Sequence, residues 1–84
     1  NPRYLAARAT LGYLYRETGE YKLAAHELEM VNAFEPGRVD ILYQLGLTYE
    51  KMGDKAKAKE TYQEALKRNP SDQEIEKALS SLNQ

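Results

Sequence analysis

The apolar positions of this chain fall into five stretches, and their spacing is helical rather than alternating. Leu11, Leu14 and Tyr15 recur at the interval of one helix face, as do Tyr21, Ala24, Leu28 and Val31. The same holds for Leu42, Leu45 and Tyr49, and for Ala58, Tyr62, Ala65 and Leu66. A last stretch carries Ile75, Ala78, Leu79 and Leu82 on one side, with Glu74, Lys77, Ser80, Ser81 and Asn83 on the other. The pattern predicts helices over roughly 3–18, 21–34, 38–52, 55–68 and 72–83. Ser71 and Glu74 have the spacing of a capping box at the start of the fifth.

The chain repeats itself. Pro2, Pro36 and Pro70 stand at a constant offset of 34 residues. The same offset pairs Leu11 with Leu45, Gly12 with Gly46, Tyr15 with Tyr49, Gly19 with Gly53 and Ala24 with Ala58. Gly19 and Gly53 fall where a helix should stop, since glycine takes the left-handed conformation without steric cost. Pro36 and Pro70 fall where a second helix must end. Gly12 and Gly46 lie inside helical stretches, where glycine costs about 1 kcal/mol relative to alanine. Close approach of a second helix would offset that cost, with Ala24 and Ala58 as the small residues opposite. Tyr15, Tyr49 and Tyr62 would fill the rest of each interface.

These residues resemble the tetratricopeptide repeat family, whose pattern runs from a large residue through Leu-Gly, Tyr, Ala and an aromatic to Pro. The second repeat reads Leu42, Leu45-Gly46, Tyr49, Ala58, Tyr62, Pro70. The first reads Arg8, Leu11-Gly12, Tyr15, Ala24, Leu28, Pro36, and departs at Arg8 and Leu28. The resemblance covers about residues 5–72. It implies an all-α, right-handed solenoid of two antiparallel helix-turn-helix hairpins (repeats 5–38 and 39–72) closed by a capping helix over 72–83, one domain in all. Arg8 either faces solvent or is ion-paired or stacked against a neighbour in an upstream part of the array. Asn1-Pro2 resembles Asn69-Pro70, and there is no initiating Met, so the sequence reads as a piece of a longer array with Tyr4 on its open end.

In this family the first helix of each hairpin lines a concave groove that holds a peptide or helix of a partner protein. The resemblance places Ala6, Ala9, Thr10, Tyr13, Arg16 and Glu17 there, with Asp40, Tyr43, Gln44, Leu47, Glu50 and Lys51 from the next repeat. Tyr13 and Tyr43 also fall off the core stripes, so a lone hairpin would expose them; packing against an adjacent repeat is the alternative. Small Ala6 and Ala9 would leave room for a bulky anchor. The family's clamp for a C-terminal carboxylate would need Lys, Arg and Asn where this chain has Ala9, Tyr13, Gln44, Glu74 and Ala78. That ligand class is therefore not expected.

Composition removes other functions. The chain has 84 residues, no Cys and a net charge of −1. Disulfides, thiol catalysis and zinc fingers are excluded, and a broad nucleic-acid or polybasic membrane surface is not expected. No apolar run is long enough to span a bilayer. His26 is the single histidine and has no partner for acid–base or metal chemistry, so it reads as exposed and inert. Lys55, Lys57, Lys59, Lys67 and Arg68 alternate with Asp54, Glu60 and Glu64, which suits helix-surface pairing rather than phosphate binding. No phosphate-cradling glycine loop, metal site or cofactor site is present, so the chain does not read as an enzyme. No compartment is identified, with the cytoplasm slightly favoured. The expected function is a protein-binding scaffold. The alternative is a self-assembling solenoid segment, because solenoids need roughly three repeats for stability.

Overall fold

A computed structural model describes residues 2–83. Asn1 and Gln84 lie outside the described residues, and with Asn1 goes half of the Asn1-Pro2 repeat boundary. Five helices follow in order: α1 (Pro2–Glu17), α2 (Tyr21–Phe34), α3 (Val39–Lys51), α4 (Lys55–Arg68) and α5 (Gln73–Leu82). Each expected helix is present to within about a residue at either end. Every helix packs on the next in sequence, and α1 also touches α3. The result is a short slab of 36 × 26 × 16 Å. It consists of two hairpins, α1–α2 and α3–α4, with α5 laid on α4 as the first helix of a further hairpin would be.

The hairpin turns are nearly identical. The Gly19 amide bonds to the Arg16 carbonyl at 3.1 Å and the Glu20 amide to the Tyr15 carbonyl at 2.8 Å. Gly53 and Asp54 repeat this at 3.0 and 2.9 Å on Glu50 and Tyr49. Both glycines have φ near +85°. This double bond pattern closes a helix only with a left-handed residue at that point. The starts of the following helices differ. Asp54 accepts the Lys57 amide at 3.0 Å, whereas Glu20 makes no side-chain cap. The longer glutamate side chain places its carboxylate past the amides that need it.

The start of α5 corrects the sequence reading. The cap is Asp72, which accepts the Ile75 amide at 3.1 Å. Ser71 lies one residue too early, and its hydroxyl turns to the Asn69 side chain. Aspartate is at least as good a cap as serine, so the helix begins one residue later than the Ser71–Glu74 spacing suggests.

The core runs the length of the stack. It contains Ala9, Ala25, Leu28, Val31, Ile41, Leu42, Leu45, Tyr49, Ala58, Tyr62, Ala65 and Ile75. At the close approach, a Cβ on Gly46 would lie 2.2 Å from Tyr62 Cε1, and one on Gly12 would lie 2.8 Å from Leu28 Cγ. The glycines therefore make room chiefly for a large side chain of the second helix. Ala24 and Ala58 are fully buried, but they are not the principal atoms in that gap. The first helix departs from expectation in another way. Leu11 is 37 % and Leu14 57 % exposed. Their stripe is turned away from α2 and has no helix over it, while Ala9 takes a place in the core.

Arg8, the odd residue of the first repeat, is ion-paired within its own hairpin. Its guanidinium lies 3.1 Å from Glu27 on α2 and 4.5 Å from the centre of the Tyr4 ring. It also donates to the Tyr4 hydroxyl and touches Met30 Sδ. Leu42 fills the equivalent place in the second hairpin and is buried.

Gly46→Ala should test the close approach. Alanine raises helix propensity by about 1 kcal/mol, yet the added methyl would overlap the Tyr62 ring. Overpacking of this kind costs about 1–3 kcal/mol. We expect a lower thermal midpoint for Gly46→Ala, and a midpoint above wild type would show that α3 and α4 are free to separate.

Candidate functional site

The first helix of each hairpin turns one face inward along the slab, and α5 continues the series. Two adjoining concavities mark this face. One of about 370 Å³ lies among Arg16, Glu17, Tyr21, Leu47, Glu50 and Lys51. The other, about 400 Å³, is formed by Tyr43, Leu47, Glu50, Glu74, Lys77, Ala78 and Ser81. They share Leu47 and Glu50, so together they form one groove crossing α1, α3 and α5 with those two residues at its middle.

The residues expected on this face divide into three groups. Arg16, Glu17, Tyr43, Leu47, Glu50 and Lys51 line the groove. Ala6, Thr10 and Asp40 are exposed beside it. Thr10 turns its hydroxyl back to the Ala6 carbonyl at 3.0 Å, and Asp40 is held by Arg38 through bonds of 2.7 and 3.2 Å. That pairing keeps the Asp40 carboxyl below the ordinary carboxylate range. Ala9, Tyr13 and Gln44 are drawn into the structure instead. Ala9 is 5 % exposed, so it offers a partner no space. Tyr13 and Tyr43 are half-buried and pack on the core. The Tyr43 ring lies 6.3 Å from that of Tyr62. Gln44 buries its side-chain oxygen without a partner.

Glu74, Lys77, Ala78 and Ser81 of α5 join the groove; Glu74 and Ala78 stand at the clamp registers already noted, whereas Lys77 and Ser81 were not expected there. The signal was present, since they stand 34 residues after Asp40, Tyr43, Gln44 and Leu47. Tyr21 was read as core and instead reaches the groove edge.

The groove charges are mixed. Arg16 lies 3.6 Å from Glu17, which is largely solvent-exposed. Glu50 accepts the hydroxyl of the buried Tyr62. Tyr49 makes a matching bond of 2.5 Å to Glu29. Burial first, and the bound carboxylate second, push both phenols well above the usual tyrosine range. Burial and the nearby Glu74 carboxylate also raise Tyr43. These features orient and stabilise; they do not assemble a nucleophile or a general base. Among the described residues no group of three or more His, Asp or Glu is placed to hold a metal ion. His26 is exposed. Among the described residues no helix is long and apolar enough to cross a membrane.

Residues 39–72 match the tetratricopeptide repeat family model. Among solved structures, a MamA mutant aligns with a TM-score of 0.86 at 22 % identity, over 94 % of this chain and 58 % of its own. MamA of AMB-1 aligns with the same score and identity, over 98 % of this chain and 45 % of its own. The chain thus spans about half the length of these structures. No curated protein sequence matches it. The family match is thus confined to the second repeat, and over the whole chain the likeness to these structures is one of fold, an all-α stack of helical hairpins. Repeats of this family generally mediate protein–protein interaction.

The Tyr62–Glu50 bond predicts alkaline sensitivity. In the unfolded chain a tyrosine ionises near pH 10, whereas in the fold Tyr62 keeps its proton. Above about pH 10 the unfolded chain binds fewer protons, so stability falls as pH rises. At neutral pH, Tyr62→Phe should cost about 0.5–1.5 kcal/mol. That deficit should shrink by up to about 1.4 kcal/mol per pH unit above 10. Urea unfolding of both proteins at pH 7 and pH 11 measures it; an unchanged deficit would place the phenol in water.

Proposed function

Taking a tetratricopeptide repeat at 39–72 as the premise, we propose that the chain is a non-catalytic interaction module. It holds an extended or helical segment of a partner protein in the groove across α1, α3 and α5. The observation that carries this reading is the continuity of the two concavities through Leu47. An apolar side chain, half-buried at the middle of a trough and rimmed by charges, suits an anchoring contact. Arg16, Glu17 and Lys51 stand at one end, with Glu74 and Lys77 at the other. Their alternating signs favour a partner segment that carries both charges in a fixed order. Glu50 already accepts from Tyr62, so it contributes shape and a remaining lone pair rather than a free charge.

Tyr43 serves this groove as a wall, whereas Tyr13 packs on the core and lines neither concavity. Because the Tyr43 ring packs at a tilt against Tyr62, its removal would disturb the core as well as a ligand. Leu47 is the better probe. Peptides selected from a randomised displayed library against the wild-type chain should bind Leu47→Asp at least about tenfold more weakly, a loss of about 1.4 kcal/mol or more. The thermal midpoint should change little. Titration of the selected peptides into both proteins is the check. Peptides that bind Leu47→Asp and a Glu50→Lys variant as well as wild type would locate the binding surface elsewhere.

A further inference from the structure

Arg16 is the groove residue whose charge is least used. It stands in the last turn of α1 and walls the first concavity. Its side chain is 20 % exposed, whereas that of Glu17 beside it is 72 % exposed. The pair is loose, at 3.6 Å, and an ion pair with one member in water contributes little. Among the described residues no other ion pair holds the Arg16 guanidinium. Its charge reaches inward all the same. It acts on the phenols of Tyr13, Tyr43 and Tyr62, in each case against the upward push of burial. Nor is it engaged as a helix cap, because the Gly19 and Glu20 amides already bond the Arg16 and Tyr15 carbonyls. A largely buried guanidinium with a loose partner and a hollow before it presents free donors in the fork geometry that a carboxylate fits.

The carboxylates of the groove are placed differently. Glu50 accepts the hydroxyl of Tyr62. Glu74 faces the Tyr43 phenol and helps to hold its proton. Glu17 stands in water, where its charge is screened. A cationic segment would therefore find these groups occupied or solvated. The hollow that holds Arg16 also continues in two directions. Through Leu47 it joins the concavity of α3 and α5. Through Tyr21 it joins a further hollow of about 370 Å³, walled by Gly19, Glu20, Lys22 and Met52. Met52 is 41 % exposed there, and methionine is an apolar side chain that adapts to what it meets. All of these walls belong to α1, α3, α5 and the turns that follow α1 and α3.

Building on the groove as the binding site, we propose that its occupant is an extended, acidic and apolar segment of a partner protein. An Asp or Glu of the segment sets its carboxylate on Arg16, in the place that Glu17 holds loosely. One apolar residue of the segment lies on Leu47, and another passes Tyr21 to reach Met52. Lys51, exposed on α3 at the rim of the same hollow, favours the same sign.

Glu17 gives the test its sign. Peptides selected from a randomised displayed library against the wild-type chain are titrated into its variants. Glu17→Gln removes the competitor for Arg16 and should bind them about two- to threefold more tightly. Arg16→Gln should bind them at least about tenfold more weakly, the loss expected for a charge-assisted bond. Amidating the peptide's acidic side chain should cost about tenfold against wild type and almost nothing against Arg16→Gln, since the two changes remove one interaction. Met52→Ser should weaken binding about threefold or more through lost apolar contact. Far-UV circular dichroism of the variants should match wild type. The proposal is overturned by selected peptides that lack an acidic residue, by Glu17→Gln binding more weakly as a basic segment requires, or by amidation costing the same in both proteins. Indifference to Met52→Ser overturns the path past Tyr21. In each of these cases a loss on Leu47→Asp keeps the groove as the binding site. Peptides that also ignore Leu47→Asp, or a library that yields no binder, overturn the groove and this proposal together.

Discussion

The Tyr62 ring over Gly46 is the contact on which the rest of this structure depends. A ring can lie there only because residue 46 has no side chain, and the distance between α3 and α4 follows from it. The same ring faces Tyr43, and its hydroxyl is held by Glu50. Tyr43 and Glu50 are groove residues. One fully buried side chain therefore fixes the spacing of a hairpin and the walls of the surface that hairpin presents. Interiors are packed too tightly to absorb a change at such a point locally. A disturbance at Gly46 is felt in the groove although nothing in the groove has been altered.

In the first hairpin, Leu28 over Gly12 makes the equivalent contact with a flexible aliphatic side chain and no hydroxyl. The comparison explains why the second hairpin matches the family pattern more closely. It also explains the place of Arg8. Where Leu42 completes the second hairpin by burial, Arg8 completes the first by pairing with Glu27 and lying over Tyr4. A paired charge at 3.1 Å is tolerated at a half-open end, where water still reaches it. It would be a costly substitute for leucine in the middle of a stack.

Most of the fold was legible in the sequence because its determinants are local and periodic. The five helices follow from apolar spacing, and the turns from Gly19 and Gly53. What spacing could not decide was which of two faces of a helix is covered. Leu11, Leu14 and Tyr15 form a sound amphipathic stripe, yet the structure leaves the two leucines exposed, because no second helix lies on that side of α1. Burial is a property of the neighbour as much as of the residue. The candidate site was less legible for the same reason. Ala9 and Gln44 sit at groove registers and are nonetheless taken into the interior. Lys77 and Ser81 reach the groove from a helix first read as a cap. Extending the 34-residue offset by one more step would have found them.

The two unfinished surfaces differ in physical character, and that difference bears on what each can do. The groove is concave, has mixed charge and is backed by a rigid interior, with Leu47 as its central apolar contact. Such a surface discriminates among ligands more than it attracts them, since charges at a wet rim contribute selectivity and little affinity. The outer face of the first hairpin is apolar across two helices, with its one ion pair already internally satisfied. A surface of that kind draws its affinity from area removed from water and little of its selectivity from charge. The groove therefore suits an exchangeable contact.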